Sequence, residues 1–435
     1  MNLLFIVPYV PNRIRVRPYQ LLRGVARRGH RVTLATLWSS DEERADLDAL
    51  RTEGIEVIAA RLSRSRSAWN CAAGLLTGRP LQADYCWEPE LARQIEAALR
   101  TSRYDVVHVE HLRGARYGLL ARGVTRAPVV WDSVDCISHL FEQAAAQSES
   151  RQGRLMARFE LPRTRRYEAW LLRQFDHALV TSEMDRRALL GLPADGLGAA
   201  APLSVLPNGV DLAYFTPSDE PRETATIVFT GKMSYHANVT AAVYLIGEVM
   251  PRVWARRPEA RVVIVGKDPT REVRALAEGT ERVVVTGEVA DMRPYLRRAT
   301  LAVAPMPYGA GIQNKALEAL ACGTPLVATS QAVAALQAAP GQEVAVADGA
   351  EALAGAIVAL LEDAGRRERL GRAGRRYVER EHDWGRVVGR LESVYEELRP
   401  TEVGATRIGQ RRGAKAQSGT RGEGEREIGS VDARG

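Results

Sequence analysis

Lysine is nearly absent from this chain. Of its 60 lysine and arginine residues only four are lysines: Lys232, Lys267, Lys315 and Lys415. The first three each follow an apolar, strand-like run, in the segments IVFTGK, VVIVGK and LAVAPMPYGAGIQNK. Lysine presents a compact point charge, whereas arginine presents a planar fork of donors. We therefore interpret these three lysines as cations placed at the carboxyl ends of strands, where parallel sheets bind their ligands.

Cysteine and long apolar runs are also scarce. The four cysteines are Cys71, Cys86, Cys136 and Cys322. They form no CxxC pair and no zinc-like spacing, which fits a reducing cytosol. No run of about 18 apolar residues occurs, so we expect no membrane-spanning helix. Residues 1–10 lack the basic start of a signal peptide and indicate a first strand, so we expect a cytoplasmic protein.

Size and charge set broad limits. A chain of 435 residues with 46% hydrophobic content is expected to form two domains. The net charge of +7 and the isoelectric point near 9.4 suit nucleic acid, anionic lipid or phosphorylated substrates. No nucleic-acid motif is present, so we expect no nucleic-acid partner. Residues 400–435 are rich in Gly, Arg, Glu and Ser and are expected to be a disordered tail.

The most informative stretch is PMPYGAGIQNKALEALACGTPLVA, at 305–328. The apolar run at 301–304 predicts a buried strand, and the periodicity beyond the glycine loop predicts a helix over about 312–322. Gly323 can supply the left-handed C-cap of that helix. In an open parallel sheet, a glycine loop of this kind lies at the carboxyl end of its strand, where ligands bind.

The start of this helix predicts an anion site, because free backbone N–H groups and the helix dipole favour negative charge there. The predicted donor contacts at the helix start are Gly311, Ile312, Gln313 and Asn314. Lys315 and Glu318 follow three residues apart, on neighbouring helix surface. An ammonium suits a phosphate and a carboxylate suits sugar hydroxyls, so together they predict a sugar nucleotide. The alternative is a buried helix with a solvated lysine–glutamate pair.

The segment LEALACGTPLV at 317–327 resembles the donor-site helix of retaining glycosyltransferases of family 4, which have the GT-B fold. Glu318 matches the second glutamate of the family signature, which holds the nucleotide ribose. Ala310 stands where the first glutamate contacts the donor sugar, so the chain departs from the family there. The GIQNK wording resembles an exopolysaccharide-type sub-branch, and PNGVD followed by a phenylalanine, at 207–215, is a second specific match.

The resemblance implies an α/β fold of two Rossmann-like, doubly wound parallel-sheet domains facing a cleft. The expected boundaries are an acceptor-side domain at 1–217, a nucleotide-sugar-binding domain at 218–382, a helix at 383–399 that crosses back, and the tail at 400–435. Gly231 and Lys232 match the Gly-Arg pair that holds the donor diphosphate. The second cation of the family has no match at its usual place, so Lys315 is assigned that charge. Val289 matches the loop whose backbone reads the base.

The implied activity is retaining transfer from a nucleoside-diphosphate sugar to a glycan or lipid-linked acceptor, in surface or extracellular polysaccharide synthesis. Lys232 and Lys315 stabilise the leaving group, and neither a metal nor another cofactor is expected. A GT-B nucleotide-sugar epimerase and a non-catalytic binding subunit remain alternatives. Incubation with donor, with and without acceptor, separates the three readings.

The acceptor is expected to enter from loops of the first domain. Arg13 and Arg15 replace the glycine pair of the family, either as phosphate contacts or as solvated side chains. His111 is the last residue of an HVEH segment at 108–111, in which a metal site is disfavoured because one neighbouring Glu does not complete it. Asp132 stands where many relatives have a histidine and is assigned a catalytic role. Asp135 is placed on the acceptor side, with a helix N-cap as the alternative for both aspartates.

Two basic regions are candidates for contact with a membrane surface. The segment RLSRSRSAW at 61–69 is interpreted as a surface loop or as a patch that touches anionic lipid. A helical region at 142–175, divided at Pro162, carries many arginines on faces that are solvated or turned to a membrane. A peripheral position on the inner face of the cell membrane is therefore expected as an option.

Overall fold

The computed structural model describes residues 1–12, 14–147, 151–194, 196–308 and 312–399. The predictions made for Arg13, Ala310, Gly311 and the tail at 400–435 lie outside these ranges. Within them the chain forms two separate parallel sheets flanked by helices, and each sheet has its own apolar core. The expectation of two Rossmann-like α/β units is confirmed.

The first sheet has seven parallel strands in the order β3-β2-β1-β4-β5-β6-β7. Its strands are β1 Asn2–Val7, β2 Arg31–Trp38, β3 Glu56–Arg61, β4 Val106–Glu110, β5 Val129–Val134, β6 His177–Val180 and β7 Leu203–Val205. Its helices are α1 Val16–Arg27, α2 Asp41–Thr52, α3 Arg64–Leu75, α4 Leu81–Tyr85, α5 Pro89–Thr101, α6 His111–Val124, α7 Ile137–Gln147, α8 Arg151–Leu171 and α9 Glu183–Leu190. The central strands are buried on both faces and are therefore almost continuously apolar.

The second sheet has six parallel strands in the order β10-β9-β8-β11-β12-β13. Its strands are β8 Thr226–Thr230, β9 Arg261–Val265, β10 Val283–Val285, β11 Leu301–Ala304, β12 Leu326–Ala328 and β13 Ala345–Val346. Its helices are α10 His236–Tyr244, α11 Met250–Trp254, α12 Arg271–Ala275, α13 Arg293–Arg298, α14 Asn314–Ala321, α15 Ser330–Val333, α16 Ala350–Glu362 and α17 Ala364–Glu381. A π-helical turn, Leu245–Val249, joins α10 to α11.

A last helix, α18 Trp384–Leu398, returns from the second sheet to the first. Its apolar face packs with the core formed by β1, β2 and α1, where Val388 and Leu391 are fully buried. The chain crosses between the two units twice. At the crossing, the backbone N–H of Val210 donates to the carbonyl of His382 at 2.7 Å. The boundaries at 217, 382 and 399 stay predictions.

Two expectations on local structure are wrong. Residues 61–69 are not a loop, because β3 ends at Arg61 and α3 begins at Arg64. Ser63 caps this helix by accepting a hydrogen bond from the backbone N–H of Arg66 at 3.1 Å. The surrounding arginines obscure this capping signal in the sequence. Pro162 does not divide the basic region, because α8 continues through it.

Candidate active site

Glycines close the tips of β8 and β9. Gly231 follows β8 and Gly266 follows β9, both at φ +152°. A Cβ on Gly266 would lie 1.7 Å from the carbonyl oxygen of Gly231, so only glycine fits. A Cβ on Gly231 would lie 2.7 Å from the amide nitrogen of Asn238 and 3.4 Å from Cε of Lys315. The two strand tips and the start of α14 are therefore in close contact.

Asn238 joins the two lysines that the sequence analysis singled out. The ammonium of Lys315 donates to Oδ1 of Asn238 at 2.8 Å. The Nδ2 group of the same amide donates to the backbone carbonyl of Lys232 at 2.9 Å. The structure thus brings Gly231, Lys232 and Lys315 to one place at the carboxyl end of β8, although Lys315 is far along the chain.

The two lysines differ in their surroundings. The side chain of Lys232 is 55% exposed, and its Nζ lies 3.7 Å from Oδ2 of Asp268. Lys315 is held inside, with Nζ 5.7 Å from the ring centre of Phe229. Lys232 is therefore free to turn toward a ligand, whereas Lys315 is already positioned.

Burial perturbs the charges of Lys315 and Glu318. Desolvation lowers the pKa of Lys315 to about 8, against the opposing attraction of Glu318. Desolvation raises the pKa of Glu318 to about 7, although Lys315 acts to lower it. The Glu318 carboxylate has no hydrogen-bond partner in the described part of the chain. Two ionisable groups shifted in opposite directions beside a cleft are typical of a functional site.

Glu318 lines a cavity of about 370 Å³ between the two units, here called the donor cavity. From the second unit, Val289, Asn314 and Glu318 contribute to its wall. From the first unit, α1 contributes side chains that include Tyr19 and Arg23. Three of the residues predicted to bind the donor are therefore gathered around one space.

The segment that leads into α14 is partly buried in the core of the second unit. Ile312 is buried in the apolar core of the second unit and does not line the donor cavity. Gln313 precedes the first helical residue, and its Oε1 accepts from Nζ of Lys315 at 3.3 Å. Gln313 therefore helps to position Lys315, whereas Ile312 packs in the core. A direct contact of either with the donor stays a prediction.

Asp132 is fully buried in the first unit. Oδ2 of Asp132 accepts from Nε of Arg17 at 2.9 Å and lies 3.6 Å from Nε2 of His108. Arg17 also donates to the backbone carbonyl of Leu206 at 3.0 Å, which ties α1 to the crossing segment. In this arrangement Asp132 makes structural contacts, and its catalytic role stays a prediction without geometric support.

His111 and Asp135 stand at the carboxyl ends of β4 and β5. His111 has φ +63°, a conformation that non-glycine residues rarely adopt, and burial with Arg113 lowers its pKa to about 3. Burial and the neighbouring Asp185 raise the pKa of Asp135 to about 7, and its Oδ1 accepts from the hydroxyl of Thr181 at 3.2 Å. Strained backbone and perturbed pKa values are typical of functional sites, and the acceptor-side roles of His111 and Asp135 stay predictions.

The side chain of Arg15 contacts other residues of the first unit. Its guanidinium donates to Oε1 of Glu43 at 2.8 Å and lies over the ring of Tyr9, with Cζ at 4.9 Å from the ring centre. It lines a separate cavity of about 650 Å³ at the ends of β1, β2 and β3. This cavity, with Arg15 in its wall, lies on the side where the acceptor is expected.

Sequence reasoning missed three members of this cleft. One is Asn238, which holds both lysines through its side-chain amide. Glu110 is buried at the end of β4, where burial and Asp132 raise its pKa to about 8, and it accepts from the hydroxyl of Tyr9 at 2.7 Å. Arg113 follows two residues after His111. All three residues lie close to the carboxyl end of a strand, and this position could have identified them from the sequence.

Two kinds of feature are absent from the described residues. No group of three histidine, cysteine or carboxylate side chains there is arranged to hold a metal ion. No helix in the same ranges is both long enough and apolar enough to cross a membrane.

Two protein-family models match the chain. Residues 14–209 match a glycosyl transferase 4-like domain, and residues 224–363 match glycosyl transferases group 1. Together they cover every strand of both parallel sheets except β1. The donor cavity lies where the two matched regions meet.

Curated relatives agree with these models. A GDP-mannose-dependent monoacylated phosphatidylinositol monomannoside mannosyltransferase of Corynebacterium glutamicum is 30% identical over 208 residues, 43% of this chain and 55% of that protein. A phosphatidyl-myo-inositol mannosyltransferase of Mycolicibacterium smegmatis is 25% identical over 325 residues, 71% of this chain and 75% of that protein. The match thus spans about half the length of the first relative and three quarters of the second.

Solved structures share the fold. Sucrose-phosphate synthase of Thermosynechococcus elongatus superposes with a TM-score of 0.65 at 18% identity, covering 92% of this chain and 99% of that one. HepE of Anabaena, in complex with UDP and glucose, superposes with a TM-score of 0.62 at 16% identity, covering 91% and 100%. These likenesses establish the GT-B architecture. The two family models and the curated relatives identify this chain as a glycosyltransferase, an enzyme of the hexosyltransferase type.

Proposed function

We propose that this chain transfers a sugar from a nucleoside-diphosphate sugar to a glycan or lipid-linked acceptor, with retention at the anomeric carbon. The observation that carries the proposal is the pair Lys315 and Glu318, which are half-buried and oppositely shifted in pKa near the start of α14. Surface or extracellular polysaccharide synthesis is the process in which we place the reaction. A donor that carries several negative charges explains why this chain places its few lysines at one edge of the second sheet.

In the proposed mechanism the chain stabilises the leaving diphosphate. Lys232, Lys315 and the N-terminus of α14 face the charge that develops on it, and such preorganised donors act mainly on the transition state. Glu318 accepts from the ribose, and the backbone near Val289 contacts the base in the donor cavity.

The acceptor hydroxyl attacks from the face that the diphosphate leaves. The bond from the anomeric carbon to the phosphate oxygen breaks, and the bond to the acceptor oxygen forms. The acceptor proton passes to the departing diphosphate. Since the two lysines supply positive charge, the proposed mechanism uses no metal ion and no other cofactor.

The choice of donor follows from the relatives and neighbours. The corynebacterial relative is named for GDP-mannose, and HepE is seen with UDP and glucose. The first panel of candidates is therefore UDP- and GDP-linked hexoses, assayed for binding by thermal shift and calorimetry.

The test is consumption of a bound donor with and without a lipid or glycan extract. A transferase consumes donor and forms product only when an acceptor is present, and the product keeps the α-linkage by NMR. Acceptor-independent conversion of the donor indicates an epimerase, and binding without turnover indicates a binding subunit. Binding of no nucleotide sugar contradicts the proposal.

We also propose that the enzyme works in the cytoplasm at the inner face of an anionic membrane. Large apolar side chains are exposed on α3, α8 and the turn after α3, with Leu76 91% exposed. The exposed apolar residues are Trp69, Leu75, Leu76, Leu155, Met156 and Phe159. Arginines such as Arg158 lie on the same helices, and apolar side chains among cations suit an anionic lipid surface. Sedimentation with phosphatidylglycerol vesicles but not phosphatidylcholine vesicles is the expected result.

A further inference from the structure

The cavity of about 650 Å³ in the first unit is lined by arginines and is here called the arginine pocket. It lies at the carboxyl ends of β1, β2 and β3, the same sheet edge that carries His111 and Asp135. Its arginines are Arg15, Arg61, Arg64 and Arg113. Its volume is within the range of about 300–1,000 Å³ usual for small-molecule sites.

Charge in the arginine pocket is strongly unbalanced. Glu43 is the one carboxylate among the described lining residues, and it is paired with Arg15 at 2.8 Å. Arg61 and Arg64 form no ion pair with any residue that the structure describes. The buried Nε of Arg113 has no hydrogen-bond partner within the same ranges. Three guanidinium groups therefore line one space without a counterion from the residues that the structure describes.

Aromatic rings hold two of these arginines in place. Cζ of Arg61 lies 5.5 Å from the ring centre of Trp38, and Cζ of Arg113 lies 5.7 Å from that of Tyr85. Cation–π contacts orient a guanidinium without neutralising its charge. The positive groups are thus prearranged for a ligand.

Two helices begin at this pocket and differ in their first turns. The first turn of α2 carries three acidic residues, Asp41, Glu42 and Glu43, which balance its dipole. The first turn of α3 carries none, and Ser63 and Ser67 of that region line the pocket. The positive end of α3 therefore adds to the arginines.

We propose that the arginine pocket binds a phosphate group on the acceptor, with Arg61, Arg64 and Arg113 as its contacts. Planar guanidinium groups bind phosphate through paired, charge-assisted hydrogen bonds. The hydroxyls of Ser39 and Tyr9 also line the pocket; they donate to Glu43 and Glu110, and their oxygens can accept from the sugar or polyol that bears the phosphate. This inference rests on the proposed function, because it names the chemistry of the acceptor in that reaction.

The site accommodates a phosphate from two sources, a soluble sugar phosphate or a phospholipid headgroup. The soluble arm measures binding of inorganic phosphate, glucose 6-phosphate and glucose to the full chain by calorimetry. The lipid arm measures binding to phosphatidylcholine vesicles with and without phosphatidylinositol. In the soluble arm, glucose 6-phosphate is expected to bind at least about tenfold more tightly than glucose, as charge-assisted hydrogen bonds require.

The variants are Arg64→Gln and Arg113→Gln, with Arg66→Gln as the matched control. Arg66 is on the same helix, does not line the pocket and lies 3.5 Å from Glu88. Each test variant is expected to weaken phosphate binding by about tenfold or more, and the control to leave it unchanged. Loss of vesicle binding in the test variants alone indicates the lipid source.

Equal binding of glucose and glucose 6-phosphate overturns the inference, as does unchanged phosphate binding in both test variants. Binding of UDP-glucose and GDP-mannose is measured on the same proteins and should not change in any variant. Failure of the wild-type chain to bind any nucleotide sugar contradicts the proposed function instead. Different results therefore contradict the phosphate-binding proposal and the proposed function.

Discussion

At the scale of single residues, burial rather than identity makes Lys315 and Glu318 unusual. Both are ordinary helix surface residues by type, yet desolvation brings their pKa values to about 8 and about 7. Near neutral pH each group is close to its own titration point. A bound diphosphate and ribose would supply the interactions that water no longer provides.

The affinity for UDP-glucose or GDP-mannose is expected to peak between about pH 7 and 8. Below its raised pKa Glu318 is protonated and accepts more weakly, and above its lowered pKa Lys315 is neutral. Glu318→Gln should remove the acid limb and weaken binding about tenfold to a hundredfold. Calorimetry across pH 5.5–9.5, a range of about four units, measures this, since the diphosphate of a nucleotide sugar does not titrate there.

Glu351→Gln is the control for this change, because the side chain of Glu351 is exposed on α16. Its affinity profile should match that of the wild type. A flat profile in the wild-type chain would falsify the assignment of Glu318 to the ribose.

Lys232 and Lys315 are expected to act as one unit on the leaving group. Replacing either by Met should lower turnover at saturating donor by about 10²–10³, because the charge they meet develops in the transition state. The double variant should lose less than the product of the two single losses. Lys267→Met is the comparison, since this third lysine also follows a strand. Near-wild-type turnover in both single variants, with a loss in Lys267→Met, moves the diphosphate site to the end of β9.

At the scale of elements, the strand tips rather than the strands shape the donor side. β8 and β9 are plain apolar strands, but each ends in a glycine that allows their backbones to approach. Gly231 also lets the carbonyl of Lys232 reach Asn238, which in turn holds Lys315. The loop after β8 and the start of α14 are thus coupled through one amide.

Gly266→Ala is expected to reduce the free energy of unfolding by about 2 kcal/mol or more. The new Cβ would meet the carbonyl of Gly231 at 1.7 Å, in a backbone conformation that side chains avoid. Chemical denaturation measures the loss. Gly355→Ala, in α16 with nothing within 4 Å of its Cβ position, should instead be neutral or stabilising by about 0.5–1 kcal/mol. Equal effects of the two substitutions would show that the strand tips can separate.

At the scale of the whole molecule, α18 links the two units. It follows α17 of the second unit, yet it completes a core of the first. The hydroxyl of Tyr395 lies 2.9 Å from Nδ1 of His108, and His108 in turn lies beside Asp132. Burial lowers the pKa of His108 to about 4, so it is neutral near pH 7 and able to make this hydrogen bond.

Tyr395→Phe is expected to cost about 1–3 kcal/mol of unfolding free energy, because His108 would lose a buried partner while the ring packing remains. Tyr295→Phe is the matched control, since the hydroxyl of Tyr295 has no hydrogen-bond partner among the described residues. Denaturation of both variants at pH 7 measures the difference. A loss in Tyr395→Phe no larger than in the control contradicts a structural role for this contact.

The amino-acid sequence by itself determined the class of fold and which residues are predicted to bind the donor. Apolar runs, glycines and helix periodicity are local, so they predicted the parallel strands and the helix that carries Lys315 and Glu318. The local pattern also marked Asn314, and the family resemblance marked Gly231 and Val289. These residues lie beside strand ends, and the ends of parallel strands meet at one edge whatever the loops between them do.

Tertiary structure alone decided which residues share a space. Asp132 is fully buried and paired with Arg17 from another element, and this pairing cannot be read from its neighbours in the chain. Arg61 and Arg113 come together only because β3 and β4 lie in one sheet, on opposite sides of β1 and β2. The charge density in a pocket depends on how close its side chains come to one another. In this pocket those side chains are far apart in sequence, so only the folded chain sets the distances between them.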